Sequence, residues 1–397
     1  MAFKPKKITY LDYAATTPID PLVKKVMLPF FDVKFGNPSS LHCKGREARQ
    51  AMEDGRKKIA NLIGARPEEI IFTAGGTESV NLAIFGLARQ YQPKQCHLIA
   101  SKIEHQAVLN SFETLKKEGF SVTLINVDKN GSVEFNEFKK AVRPETKLVS
   151  IMHANNEIGA IEPIAEIGKW LKGENVKRKT LRLSPVIFHT DACQSAGFLD
   201  LNVNRLGVDL MTINGSKIYG PKQAGILFVK NGVRLRSLIR GGGQEQGLRS
   251  GTENVPGIAG LVKALELVHA NRKKESKRLS GLRDYVIEKI NKKIKNVFLN
   301  GSLGNRLPNN INITIKDVEG EALLLYLDAC GICVSTGSAC ESQNVNMSHV
   351  LLAIGLTPHR AKESIRVTLG KYTTKNDLDY FIKKLSECVV MIRKIKR

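Results

Sequence analysis

Short apolar runs rich in Val, Ile and Phe recur between residues 70 and 230: IIFT, HLIAS, VTLIN, LVSIM, VIFHT, DLMTI and GILFVK. β-Branched and aromatic residues pack well on a pleated surface, so runs of this length bounded by polar or turn residues read as buried strands. Between most of them the apolar positions fall three and four apart, as in Ser79 to Gln90, His105 to Lys117 and Pro163 to Leu171. That spacing predicts helices with one buried face. The alternation predicts an α/β fold, with a large domain built on a mostly parallel seven-stranded sheet covered by helices. From Pro256 the pattern becomes one long helix carried by Ile258, Leu261, Val262, Leu265 and Val268, with a break or kink expected before Leu279. Shorter strands and helices follow. A boundary near residue 265 assigns 15–265 to the large domain, and 1–14 with 266–397 to a smaller α/β C-terminal domain, a division that a 397-residue chain has the length to support.

No run of about 18 apolar residues occurs, and the basic start MAFKPKKITYLDYAATTP has no apolar stretch behind it, so neither a membrane span nor a secretory signal is expected. The seven cysteines (Cys43, Cys96, Cys193, Cys330, Cys333, Cys340, Cys388) are too sparse for a disulfide framework, which makes the cytoplasm the expected compartment. Cys330 and Cys333 form a CxxC pair without a second pair, and no metal site is expected. A net charge of +23 favours acidic partners, phosphorylated ligands or RNA. Much of the excess lies in Lys172 to Arg182, Arg272 to Lys295 and Lys383 to Arg397. The last two carry apolar residues at helical spacing (Leu279, Leu282, Val286, Ile290; Leu385, Val389, Ile392) and read as solvated helix faces. Without an RNA-reading motif or aromatic platform, direct nucleic-acid binding is not expected.

Ligands of an open α/β sheet bind outside the carboxyl ends of its strands, where this chain places reactive residues. Ala74-Gly75-Gly76-Thr77-Glu78-Ser79 follows IIFT and opens a helix: glycines admit close approach of backbone amides, Thr77 adds a hydroxyl, and the helix start favours an anion such as phosphate. His105 follows HLIAS, Asn156 follows LVSIM, and Asp191 with Gln194 follows VIFHT. Asn214-Gly215-Ser216-Lys217 follows DLMTI and precedes a Gly-Pro turn, where burial would favour the free amine of Lys217 as a nucleophile. A phosphate at a helix start, an aldehyde captured by a lysine and a carboxylate beside a ring nitrogen together describe pyridoxal 5'-phosphate. Asp191 suits the ring nitrogen, and His105 the ring face, with proton transfer near neutral pH. Two further motifs select a reaction. Ser335-Thr336-Gly337-Ser338-Ala339-Cys340 reads as an exposed small-residue loop ending in a nucleophilic thiol, and Arg366 in Ser364-Ile365-Arg366-Val367 offers a fork for a substrate carboxylate.

These residues resemble the cysteine desulfurases, members of the class V aminotransferase group, and specifically those whose reactive cysteine lies on a long loop. Ten motifs in order carry the resemblance: YLDYAATTP, FGNPSSLH, FTAGGTES, EHQAV, HANNEIG, HTDACQSAG, KIYGPK, GGGQEQGLRSGTEN, STGSAC and SIRVTLG. The resemblance implies a Schiff-base lysine at Lys217, an acid/base at His105, a persulfide-forming nucleophile at Cys340 and a carboxylate clamp at Arg366. It implies cofactor contacts from Gly76, Thr77, Asn156, Asp191, Gln194, Asn214 and Ser216, with Asn156 also near substrate, and Thr252 reaching across a homodimer. Asn214 and Ser216 stand where many members have serine and histidine. The implied activity converts L-cysteine to L-alanine and passes sulfur to an acceptor, an iron–sulfur scaffold or a tRNA-thiolation carrier. A selenocysteine lyase or aminotransferase is the nearest alternative, and STGSAC argues against the latter, since transamination needs no second nucleophile.

Overall fold

The computed structural model describes residues 8–336 and 347–395. The chain opens with strand β1 (Thr9–Tyr10) and helices α1 (Pro21–Met27) and α2 (Cys43–Ile63). A strand–helix alternation follows: β2 (Ile70–Thr73), α3 (Gly76–Ala88), β3 (His97–Ser101), α4 (Gln106–Lys117), β4 (Ser121–Ile125), α5 (Phe135–Ala141) and β5 (Thr146–Ser150). It continues through α6 (Ile164–Thr180), β6 (Ile187–Asp191), α7 (Val203–Leu206), β7 (Leu210–Asn214) and β8 (Gly225–Val229). Long helix α8 (Val255–Lys293) leads into β9 (Val297–Leu299), β10 (Asn310–Ile315), α9 (Gly320–Ala329), β11 (Ile332–Cys333), α10 (His349–Ala353), α11 (Pro358–Lys362), β12 (Ser364–Thr368) and α12 (Lys375–Ile395).

The strands from β2 to β8 form a seven-stranded sheet in the order β2-β8-β7-β6-β5-β3-β4. Only β8 runs against its neighbours, β2 and β7. Successive side chains of a strand point to opposite faces, and the buried residues divide accordingly. Ile70, Phe72, Met211, Ile226 and Phe228 join a core that includes residues of α2, α6 and the start of α8, while Ile71, Leu210 and Leu227 face the other way with Leu82 and Ala83 of α3. The sheet is thus buried on both faces, which explains why its strands read as near-continuous apolar runs.

A second core gathers Leu11, the late α8 residues Leu279, Val286 and Ile290, the strand residues Ile311, Ile313, Ile365 and Val367, and Phe381, Leu385 and Val389 of α12. Its sheet has the order β12-β10-β9 and is antiparallel, and β1 pairs separately with β11. The expected break in the long helix is absent: α8 runs unbroken from Val255 to Lys293. The apolar stripe lapses because the helix crosses from one core to the other. Its buried positions end at Leu265 and resume at Leu279, and the polar stretch between them bridges through solvent. Most of the basic segment Lys172 to Arg182 is the second half of α6, where Arg178 is buried against carbonyls of Arg143, Pro144, Thr146 and Ser184.

Candidate active site

The carboxyl ends of β3, β5, β6 and β7 lie side by side and bring most of the predicted residues together. Asp191 ends β6, 7% exposed, and its Oδ1 accepts from the Cys193 amide at 2.9 Å. His105 caps α4: its Nδ1 accepts from the Ala107 amide at 3.1 Å, which leaves Nε2 for chemistry. Burial holds the His105 pKa below the ordinary histidine value. The Asp191 carboxylate opposes that effect, whereas Lys217 and His349 reinforce it, so all three act on the His105 ring.

Lys217 follows β7 in a short 3-10 turn, half-buried, with Nζ donating to the carbonyl of Ala15. This is more open than the sealed site expected from the sequence, because the N-terminal segment rather than the Gly-Pro turn covers it. That segment organises the whole centre. Asp12 accepts from Arg366, the Ala14 carbonyl accepts from Gln194 Nε2 at 3.0 Å, and the Thr17 amide and hydroxyl both donate to the Ser216 carbonyl. Asn214 Oδ1 accepts from both the amide and the hydroxyl of Ser216 at 3.2 Å, and thereby ties the turn that carries Lys217.

Beside these residues, Ala15, Thr16, Gly75, Gly76, Thr77, Asn214, Ser216 and Lys222 line a cleft of about 660 Å³. Its floor requires glycine at two positions. Gly75 has φ +143°, a conformation open to few other residues, and a Cβ on Gly76 would meet Cys193 Sγ at 2.9 Å. The first amides of a helix lack intrahelical acceptors, so Gly76 and Thr77 at the head of the 13-residue α3 offer donors to an anion. Cys193 is held between Gly76 and Asp191, and burial pushes its thiol well above the ordinary value.

Arg366 on β12 is 4% exposed; Nη2 donates to Asp12 Oδ1 at 2.8 Å, Nη1 to the Asn156 carbonyl at 3.1 Å, and the buried Nε has no acceptor among the described residues. Its backbone pairs with that of Ser335, the first residue of STGSAC, in a single bridge. Cys340 itself lies outside the described residues. Thr252 is exposed and lines a separate cavity with Phe72, Gln223 and Arg249, which shares Ala74 and Gln223 with the larger cleft. Among the described residues no cluster of three or more His, Cys, Asp or Glu side chains could hold a metal ion, and no helix is long and apolar enough to cross a membrane.

Asp12, Glu104 and Cys193 lie in sequence motifs that assign them no role, and no pattern in the sequence points to His349 as a neighbour of the site. Glu104 is fully buried, its Oε1 accepting from Ser101 Oγ at 2.6 Å and the Met152 amide at 2.9 Å, and burial raises its pKa to about 8.

Residues 9–381 match the aminotransferase class-V family model. The cysteine desulfurase IscS of Dictyoglomus turgidum is 50% identical over 390 residues, 98% of this chain and 96% of that protein. The chain belongs to the cysteine desulfurase group of the class-V aminotransferase family. Cysteine desulfurase IscS 1 of Archaeoglobus fulgidus is 44% identical over 384 residues, covering 97% of each protein. Among solved structures, a NifS-like protein superposes with a TM-score of 0.89 at 36% identity, over 97% of this chain and all of that one. The protein SspA in complex with cysteine gives a TM-score of 0.80 at 36% identity, over 93% of this chain and all of that one. Cysteine desulfurases and class-V aminotransferases are pyridoxal-phosphate enzymes.

Proposed function

We propose that this protein is a pyridoxal-phosphate-dependent cysteine desulfurase that converts L-cysteine to L-alanine and carries the released sulfur as a persulfide on Cys340. The observation that carries this reading is the meeting of Lys217, Asp191 and His105 at adjoining strand ends beside the glycine-floored head of α3. The donor set fits the cofactor: the head of α3 with Thr77, Asn214 and Ser216 would hold its phosphate, Asp191 its ring nitrogen, and Gln194 and Asn156 its neighbouring edge. Thr252 would contribute from the second protomer of a homodimer. When bound, the cofactor supplies an aldehyde for amine capture and a ring that accepts the electron pair left at the substrate Cα.

The chain's own residues do the rest. Arg366 binds the substrate carboxylate, with its unpaired Nε as a ready donor. Lys217 Nζ would tether the cofactor through its aldehyde and, as a free amine, would remove the substrate Cα proton. The Cys340 thiolate attacks the substrate sulfur. An S–S bond forms, the substrate C–S bond breaks, and one proton moves in net from sulfur to Cβ, so L-cysteine and Cys340–SH give L-alanine and Cys340–S–SH with no external oxidant. His105 Nε2 handles protons at the substrate carbons. The similar protein SspA, solved in complex with cysteine, supports the choice of substrate.

We further propose that a sulfur-acceptor protein of iron–sulfur cluster assembly or tRNA thiolation takes the persulfide sulfur in the cytoplasm. The exposed apolar residues Leu28, Phe31, Val33, Phe35 and Leu41 support a second copy as the cover of that face. The deciding experiment incubates purified, cofactor-loaded protein with L-cysteine and dithiothreitol. Equal amounts of alanine and sulfide are expected; loss of cysteine without alanine defeats the reading.

A further inference from the structure

His349 opens α10 beside the turn that presents His105. Its ring touches residues on both sides of His105: Nε2 meets the Glu104 carbonyl at 3.0 Å, and Nδ1 meets Gln106 Nε2 at 3.2 Å. The carbonyl accepts and the amide nitrogen donates, so the imidazole carries its proton on Nε2 and presents Nδ1 as acceptor. Both contacts are then satisfied by a single tautomer.

The brace is rigid at both ends. Glu104 is fully buried and fixed by the Ser101 hydroxyl and the Met152 amide. On the other side, Ser348 donates to the Glu157 carboxylate, and Val350 and Leu351 are packed in the core of the large domain. Glu157 directly follows Asn156, whose carbonyl holds Arg366. His349 therefore joins the loop that steadies the carboxylate clamp to the turn that aims His105. The groups acting on the His105 ring are Asp191 from β6, Lys217 from the turn after β7, and His349 from α10, with buried Glu104 preceding it in the chain.

We infer that His349 is a positioning residue for proton transfer, holding the His105 turn so that Nε2 of His105 faces the substrate carbons. This rests on the desulfurase reading and adds a determinant to it. Because His105 Nδ1 is committed to the Ala107 amide, the placement of Nε2 follows the backbone at residues 104–106, which is what His349 grips.

The test compares His349→Phe, His349→Asn and His349→Gln in the cofactor-loaded protein. Phe fills the space without either contact, Asn can reach only the Gln106 side, and Gln places a donor near the lost Nε2. Phe and Asn should lower kcat for alanine formation by about tenfold to a hundredfold, the range for a misplaced group, with KM changed less than about twofold. Gln should recover most of the rate. A second readout, the imidazole nitrogen resonances assigned with His105→Gln, should show the His105 titration moving upward in all three variants, because a charged neighbour that lowers its pKa is gone, while only Gln recovers the rate. Wild-type kcat and wild-type His105 titration in both Phe and Asn would overturn the inference. So would Gln as impaired as Phe, which would reduce His349 to a packing role. A wild-type protein that makes no alanine overturns the desulfurase reading and this inference together, whereas intact wild-type activity with unaltered variants removes His349 alone.

Discussion

Arg366 Nη2 donates to Asp12 Oδ1 at 2.8 Å, so β12 and the segment leaving β1 are joined by an ion pair whose guanidinium is 4% exposed. Together with the Asn156 carbonyl, Asp12 fixes the plane of the fork and leaves Nε for the substrate carboxylate of the proposed mechanism. Lysine carries the charge but cannot hold two partners in plane and present a third donor. Arg366→Lys should raise KM for cysteine by about tenfold to a hundredfold, the span of one lost charge-assisted hydrogen bond, with a smaller effect on kcat. Initial rates of alanine formation across cysteine concentration measure both.

In the proposed mechanism Lys217 and Cys340 divide the chemistry, so their variants should fail differently. Lys217→Ala removes the amine that tethers the cofactor; the purified protein should be colourless, and added cofactor should leave it on dialysis. Cys340→Ala should keep the cofactor and still change its visible spectrum on adding cysteine, yet form alanine about a thousandfold or more slowly, as when a nucleophile is removed. No persulfide should be trapped by an alkylating probe. Full sulfur transfer by that variant would remove Cys340 from the mechanism.

The large sheet was legible in the sequence because a sheet covered on both faces writes its strands as apolar runs, and all seven lie within about two residues of the expected segments. His105, Asp191 and Lys217 were legible because polar residues directly after such runs have one place to go. Other features depend on partners distant in sequence. Asp12 and Arg366 are 354 residues apart, and His349 and Glu104 are 245 apart, so no local pattern announces either contact. The continuity of α8 was hidden for a related reason: periodicity reports burial, and a helix passing through solvent between two cores loses its stripe without ending.

Glu245 is 6% exposed and holds Arg56 with both carboxylate oxygens, Oε1 to Nη2 at 2.7 Å and Oε2 to Nη1 at 3.0 Å; Oε2 also accepts from the Phe72 amide at 2.7 Å. The pair pins the segment before Thr252 to β2 and α2. Glu245→Ala leaves the buried guanidinium with only the more exposed Glu53 carboxylate, 3.2 Å from Nε, as counter-charge and should cost about 3 kcal/mol of stability, the lower end for breaking a buried pair from one side. Urea unfolding followed by circular dichroism should show the lower midpoint. A change below about 1 kcal/mol would mean that Arg56 finds water or another carboxylate.

The last prediction concerns the pH of greatest stability. Burial raises the Glu104 and Glu162 carboxyls to about 8 and lowers the His97, His153 and His189 imidazoles to about 4. Above the unfolded histidine value of 6.5, the folded chain keeps protons on the two carboxyls that the unfolded chain has released, so stability falls as pH rises toward 8. Between about 4.5 and 6 the unfolded chain gains protons on three histidines that stay neutral when folded, which outweighs the two carboxyls and makes stability fall as pH drops. These five groups therefore place the maximum near pH 6. Glu104→Gln keeps the shape of the protonated side chain and removes one of the two alkaline contributions. It should flatten the decline toward pH 8, steepen the rise between about 4.5 and 6 that the remaining carboxyl alone then opposes, and move the maximum upward, as read from melting temperatures in matched buffers. An unaltered alkaline slope would show that Glu104 is already ionised in the folded protein.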